Sequence, residues 1–368
     1  MKKTWTLPLA IFAMTLITAA LLAPFASAHN GKRALVTIDP PGSIDTRAFG
    51  ISPTGEIVGL FITTALHSVE ANLRPSSEPV REDADAFGGP PHSIAFHSNR
   101  DGNNEVYVMN PDGSDQTRLT FDSRNDQRPD VSPNGKQIVF VSNRIITETN
   151  PSGDFEIFVM NSDGSDVRQL TFNGAEDSWP RWSPNGKWIA FHSNVDGNFE
   201  IYVIRPDGTD LTRVTDYTGL DQFPEWSPNG KQLAIRRDTD LYLIDLDGSN
   251  PIQLTAGGNG FNQMASWSPD GKKLAFLSTR EGYPSVFVMD ADGSNQVNLT
   301  PKPDDVPATA WSSRAPGWSR NGQYIYFTAR RPEAGGNENI FVMNADGTEV
   351  TQLTFTTAPQ VSAEAAVR

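Results

Sequence analysis

Cysteine is absent from the 368 residues. Disulfide staples, thiolate metal sites, cysteine nucleophiles and a lipidated cysteine behind an export signal are all excluded by that one fact. Histidine is scarce: His29, His67, His92, His97 and His192 are the full set. No Gly-x-Ser-x-Gly elbow, Walker loop or Gly-x-Gly-x-x-Gly fingerprint occurs, so the usual serine-hydrolase and nucleotide-binding arrangements are missing. Beyond the first 28 residues no apolar run is long enough to cross a bilayer. Positive charge is also in deficit, with 30 Lys and Arg against 44 Asp and Glu.

What the N-terminus does contain reads as an export signal over residues 1–28. Lys2 and Lys3 supply the positive start, Leu7 to Leu22 are nearly all apolar, and Ala26-Ser27-Ala28 is a small-x-small cleavage site, so the mature chain is expected to begin at His29. Losing two lysines leaves 28 basic against 44 acidic residues, a net charge of −16. Such a surface repels phosphate backbones and anionic lipid, so neither nucleic acid nor membrane insertion after cleavage is expected. A monomer in the periplasm or outside the cell is the expected state.

The strongest feature is an internal repeat. A strand-like triplet recurs six times, at Ile94-Ala95-Phe96, Ile138-Val139-Phe140, Ile189-Ala190-Phe191, Leu233-Ala234-Ile235, Leu274-Ala275-Phe276 and Ile325-Tyr326-Phe327. A second strand follows each and meets an Asp-Gly pair, from Asp112-Gly113 to Asp346-Gly347, a strong hairpin signal because glycine accepts positive φ. A third strand ends in Leu-Thr or Val-Thr. A fourth leads into a turn such as Ser183-Pro184-Asn185-Gly186. Named in the order in which they should cross a sheet, the strands are A (before the Ser-Pro turn), B (the triplet), C (before Asp-Gly) and D (Leu-Thr). Strands B and C, such as Trp188-Ile189-Ala190-Phe191 and Val106-Tyr107-Val108-Met109, are apolar on both faces, and a sheet of that kind needs a neighbour on each side. Six such sheets satisfy one another in a closed ring. The expected fold is therefore all-β, a six-bladed β-propeller of four-stranded antiparallel blades over residues 93–368. The first unit starts at strand B, and Pro359-Gln360-Val361-Ser362 matches Pro129-Asp130-Val131-Ser132. The C-terminal tail is thus expected to supply the missing strand A and close the ring.

Trp182-Ser183-Pro184-Asn185-Gly186-Lys187, Ile189-Ala190-Phe191, Ile201-Tyr202-Val203 and the Asp-Gly-Ser/Thr turns carry a resemblance to the PD40, or TolB-like, family of WD40-like β-propellers, over about residues 93–362. That resemblance implies a propeller that binds a protein or peptide rather than one that catalyses. Residues 29–92 form a separate extension. Within it Ala48 to Gly59 resembles a single HAF repeat and reads as one β-hairpin, with residues 65–90 as a linker; seven blades is the alternative this hairpin leaves open.

In the expected strand order the A–B and C–D turns share one face and are uniform, while the B–C and D–A loops share the other and vary, which suits a binding face on a rigid scaffold. Where those loops meet strand A, Arg128, Trp179, Arg181, Phe223, Glu225, Met264 and Arg314 break the repeat, and they are the candidate ring at the channel mouth. Packing between blades is the competing reading for each. His97 and His192 share a repeat position, which favours a structural place in the sheet. Asn99-Arg100, Asn143-Arg144 and Thr279-Arg280 recur at the start of the B–C loops and suggest an ion pair to the next blade. The turns at Asp245–Asn250 and Asp290–Asn295 lack the glycine and glutamate positions of an EF-hand, so no cofactor is expected, although calcium in the channel is left open. No catalytic set is expected. The alternatives are a secreted glycan hydrolase or lyase with carboxylates at the mouth, and a structural surface protein; an envelope polysaccharide is the other ligand class considered.

Overall fold

The computed structural model describes residues 94–144, 153–256, 258, 260–332, 335–355 and the backbone of 366–367. By its internal contacts the chain divides into Met1–Glu82 and Asp83–Arg368. The export signal, the HAF-like hairpin and the 359–362 tail segment all lie outside the described residues.

Six four-stranded antiparallel sheets account for the described chain. Blade 1 contains β1 (Ile94–Ser98), β2 (Glu105–Met109) and β3 (Thr117–Arg118). Blade 2 is β4 (Asp126–Val131), β5 (Gln137–Ser142), β6 (Glu156–Asn161) and β7 (Arg168–Gln169). Blade 3 is β8 (Asp177–Trp182), β9 (Ile189–Ser193), β10 (Glu200–Ile204) and β11 (Thr212–Arg213). Blade 4 is β12 (Asp221–Trp226), β13 (Gln232–Arg237), β14 (Asp240–Asp245) and β15 (Ile252–Gln253). Blade 5 is β16 (Asn262–Trp267), β17 (Lys273–Ser278), β18 (Ser285–Asp290) and β19 (Val297–Asn298). Blade 6 is β20 (Ser312–Trp318), β21 (Tyr324–Arg330), β22 (Glu338–Asn344) and β23 (Thr351–Gln352). The last strand, β24 (Ala366–Val367), returns to blade 1 and pairs with β1, Ile94 opposite Val367 and Ala95 opposite Ala366.

Burial follows the alternation in the sequence. β1, β2 and β9 are buried at every residue, while the D strands are two-residue edges with no buried position. Each seam between blades holds its own apolar cluster. In blades 2 and 3 it joins Val139, Val141, Ile157, Val159 and Leu170 to Trp182, Ile189, Phe191, Tyr202 and Ile204. The cluster of Ile94, Phe96, Tyr107 and Met109 with Tyr326, Ile340, Val342 and Leu353 sits between blades 1 and 6. That sixth seam completes the ring, which leaves no gap for a seventh blade. The strands β24, β4, β8, β12, β16 and β20 touch in succession, and β20 touches β24 again, so the A strands line the axis.

Closure by the tail agrees with expectation, but the pairing strand does not. The repeat match placed 359–362 opposite β1, whereas β24 lies six residues later than the Val361 that should face Ile94. A two-residue strand needs only two free backbone edges, so four matching side chains could not fix its register.

Candidate binding face

Every A strand of blades 2 to 6 carries a bulge. The register with strand B shifts between Gln127 and Asp130, Ser178 and Arg181, Gln222 and Glu225, Gln263 and Ser266, and Arg314 and Gly317. The bulged residues are Arg128, Trp179, Phe223, Met264 and Ala315, with φ of 54°, 56°, 54°, 55° and 50°. Proline follows four of them and bars the right-handed helical region to the residue before it. A left-handed conformation costs a non-glycine residue roughly 1–2 kcal/mol, so this strain is held by the surrounding ring five times over. The bulge re-aims one side chain per blade at the same level around the axis.

Three of the candidates form a stack across blades 2, 3 and 4. The Arg128 guanidinium lies 4.7 Å from the Trp179 ring, and Trp179 meets Phe223 edge-on at 4.6 Å. Arg236, from β13, stands 5.8 Å from Phe223 and 4.9 Å from Phe261, and it donates to Gln263 Oε1 at 2.8 Å. Trp179 is buried, while Arg128, Phe223 and Met264 are half-buried. Arg181 and Glu225 form a 3.1 Å ion pair between blades 3 and 4. Met264 takes the bulge position of blade 5. Arg314 stands one residue before that position in blade 6, which falls to Ala315, and pairs with Glu338 at 2.6 Å. Arg236 and Phe261 were not singled out from the sequence, although they too break the repeat.

The two repeat-position histidines hold this layer from behind. Arg128 N–H donates to Nδ1 of His97 at 3.3 Å, and Phe223 N–H donates to Nδ1 of His192 at 3.2 Å. Both imidazoles are therefore neutral acceptors. Burial, with Arg128 nearby, pushes His97 down to about 3; burial, then Arg128 and Arg236, lowers His192 well below the usual range. A histidine of the unfolded chain takes up a proton below about pH 6.5 and folded His97 does not until pH is near 3, so His97 costs stability as pH falls through that window, and His192 acts in the same direction. Relative to His97→Gln, whose amide oxygen can still accept the bond, the wild type should lose on the order of a few kcal/mol between pH 6.5 and 3. Parallel pH–melting curves would show that His97 is already charged in the fold. Comparing the two proteins cancels the opposing carboxylates, such as Asp126, which burial raises to about 6.

The recurring arginines do not bond the next blade. Arg144 donates from Nε to Ser142 at 3.0 Å and pairs with Asp126 of its own blade. The Ser142 hydroxyl, two residues away, tethers the guanidinium too closely for it to reach further. Among the described residues no group of three or more His, Cys, Asp or Glu side chains is placed to hold a metal ion. No helix among them is long and apolar enough to cross a membrane.

Residues 142–240 and 212–314 match the family model of the TolB beta propeller domain. The propeller is TolB-like. TolB from Acinetobacter baumannii is similar in structure to 76% of the chain and 68% of its own, with a TM-score of 0.61 and 24% identity. A putative TolB from Agrobacterium tumefaciens is similar over 72% of the chain and 90% of its own, at 0.55 and 20%. An uncharacterized protein of Agrobacterium fabrum is 33% identical over 101 residues, which is 27% of the chain and 32% of that protein, so the match spans about a third of that relative's length. The TolB-like propeller thus shares its blade architecture with these structures, and its own residues decide what the face presents.

Proposed function

We propose that the chain is an exported, non-catalytic binding propeller that docks a protein or peptide on its variable-loop face, with the contact centred on the Arg128–Trp179–Phe223 stack. One observation carries this reading. The same bulge holds a different side chain in each of five blades, and the three largest have stacked across three of them. Uniform packing would favour uniform residues, as it does in strands B and C. Aromatic and arginine side chains on a rigid frame are what binding hot spots favour, because little rotamer entropy remains to be lost. The TolB-like fold supports a binding role, and the signal-like residues 1–28 support a periplasmic or secreted location. An acidic chain with arginines gathered at this mouth suits a partner that brings carboxylates or aromatic rings to it.

The test is capture from the native envelope or secretome with wild-type, Phe223→Ala and Arg128→Ala proteins. Wild type is expected to retain a defined partner, and either substitution to weaken it at least tenfold, about 1.4 kcal/mol, with little change in melting. Equal retention by both variants would place the contact elsewhere.

A further inference from the structure

Three blades seat an arginine in the same way, and two more place one nearby. Arg100 lies over Phe96 and Tyr107, at 5.4 and 4.8 Å from the rings. Arg144 lies over Phe140 and Phe158 at 5.6 and 5.3 Å, and Arg280 over Phe276 and Phe287 at 5.6 and 4.9 Å. In blade 6 Arg331 lies over Trp311 at 3.6 Å and 5.9 Å from both Phe327 and Phe341, and in blade 4 Arg237, two residues earlier in its repeat, lies over Tyr217 at 4.4 Å and 5.5 Å from Tyr242. Where strand B ends in serine, Nε bonds that hydroxyl, at 3.0 Å on Ser98, 3.0 Å on Ser142 and 2.9 Å on Ser278. In blades 2, 4, 5 and 6 the guanidinium also meets a polar residue at the start of strand A: Asp126, Asp221 at 2.7 Å, Asn262 at 2.8 Å or Ser313 at 2.6 Å.

Blade 3 keeps this seat but has Val195 in place of the arginine. Phe191 and Tyr202 stack at 5.8 Å and 27°, like the other pairs. Ser193 is buried and accepts the Val195 N–H at 3.2 Å, the same turn that Ser142 makes with Arg144. Asp177 is fully buried; its Oδ2 accepts from Asn173 at 2.8 Å, and its Oδ1 has no hydrogen-bond partner. Between them lies a cavity of about 240 Å³, lined by Phe191, Tyr202, Ser193, Asp177, Val195 and Phe172 among others. That is below the roughly 300 Å³ at which sites for drug-sized ligands begin. The seam is also looser here: a Cβ on Gly208 would come no nearer than 3.7 Å to blade 2, against 2.8 Å at Gly164 and 2.5 Å at Gly293 in other seams.

We infer that this cavity between blades 2 and 3 is a guanidinium socket, an arginine seat whose arginine must come from outside. The rings offer two π faces, Asp177 a buried carboxylate at the position where Asp126 meets Arg144, and Ser193 the hydroxyl that takes Nε elsewhere. A second change points the same way. Arg118 and Arg213 reach the glutamates Glu105 and Glu200 at their seams, at 2.7 and 3.2 Å, but β7 has Gln169 there, which bonds the Thr171 carbonyl instead. Glu156 and Asp177 are therefore left without either cation. Burial, with Asp177 beside it, raises Glu156, and burial raises Asp177. The socket stands whether or not the channel mouth binds a partner.

The ligand is a guanidinium on an alkyl tether, from an arginine of a partner chain or from a free alkylguanidinium. Titrating the full-length protein with agmatine, an acetyl-arginine-amide peptide and the citrulline counterpart, followed by calorimetry, separates these. Saturable binding of the guanidinium probes and at least tenfold weaker binding of the citrulline probe is expected. Tighter binding of the peptide assigns the source to a partner chain, and equal affinity to a free alkylguanidinium. Val195→Arg should abolish binding and raise the melting temperature by a few degrees, and Asp177→Asn should weaken binding at least tenfold. Equal response to citrulline, or unchanged binding by a folded Val195→Arg protein, would overturn the inference.

Discussion

Deleting residues 364–368 is expected to lower the melting temperature by on the order of 10 °C, as much as deleting 357–368. The shorter deletion removes β24 and spares the 359–362 segment that matches strand A in sequence. Without β24 the inner edge of β1 loses its partners at Ile94 and Ala95, both fully buried, and β4 and β20 lose the neighbour that separates them on the axis. Each lost backbone bond costs about 1 kcal/mol, and the exposed edge and channel wall add a few more, at roughly 2–4 °C per kcal/mol for a domain of this size. The ring is cooperative in a way an open repeat stack is not, because both terminal blades are buried against each other. Melting that moves only with the longer deletion would return the latch to 359–362, and melting that moves with neither would remove the latch.

Gly248→Ala carries the other large effect. Gly248 has a φ of +76° in the C–D turn of blade 4, and a Cβ there would stand 2.2 Å from the backbone oxygen of Val214 in blade 3. The left-handed conformation costs alanine about 1 kcal/mol, and pushing two backbones apart costs on the order of 1–3 kcal/mol more. The expected loss is about 3 kcal/mol. Gly208→Ala is the control, because its φ is +86° but its nearest neighbour would be 3.7 Å away. It should lose only the conformational part, about 1 kcal/mol. Equal losses measured by denaturant titration would mean that blade spacing is softer than the geometry states.

The gap between these two glycines shows what an aligned repeat conceals. Both stand in Asp-Gly turns and are indistinguishable in sequence, yet one is wedged against its neighbour and the other opens onto a cavity. The Thr closing each D strand behaves similarly. Its recurrence was plain, but its purpose was not: the hydroxyl accepts an N–H near the start of strand C in all six blades, which Val106 donates to Thr120 at 2.8 Å and Ile340 to Thr354 at 2.9 Å. In blades 1 to 3 the same hydroxyl donates to the glutamate that opens strand C.

Of the residues that break the repeat, Arg128, Trp179, Phe223 and Met264 hold the bulge positions of blades 2 to 5. In blade 6 the left-handed place belongs to Ala315, one residue after the chemically conspicuous Arg314. Side-chain character marks a candidate, and only the bulge says which way it faces. Val195 is the sharper case. A valine at the start of a surface loop carries no signal until Arg100, Arg144, Arg280 and Arg331 are seen at the same repeat position.

The amino-acid order alone determined the strands, the six sheets and the need for a closed ring, because alternation, turn chemistry and two-sided burial are local properties that repeat. The tertiary structure decided which two residues close the ring, which side chains meet at the axis and which seam stays open. Those depend on the spacing between blades, where the approach of the C–D turn to its neighbour ranges from 2.2 Å at Gly248 to 3.7 Å at Gly208.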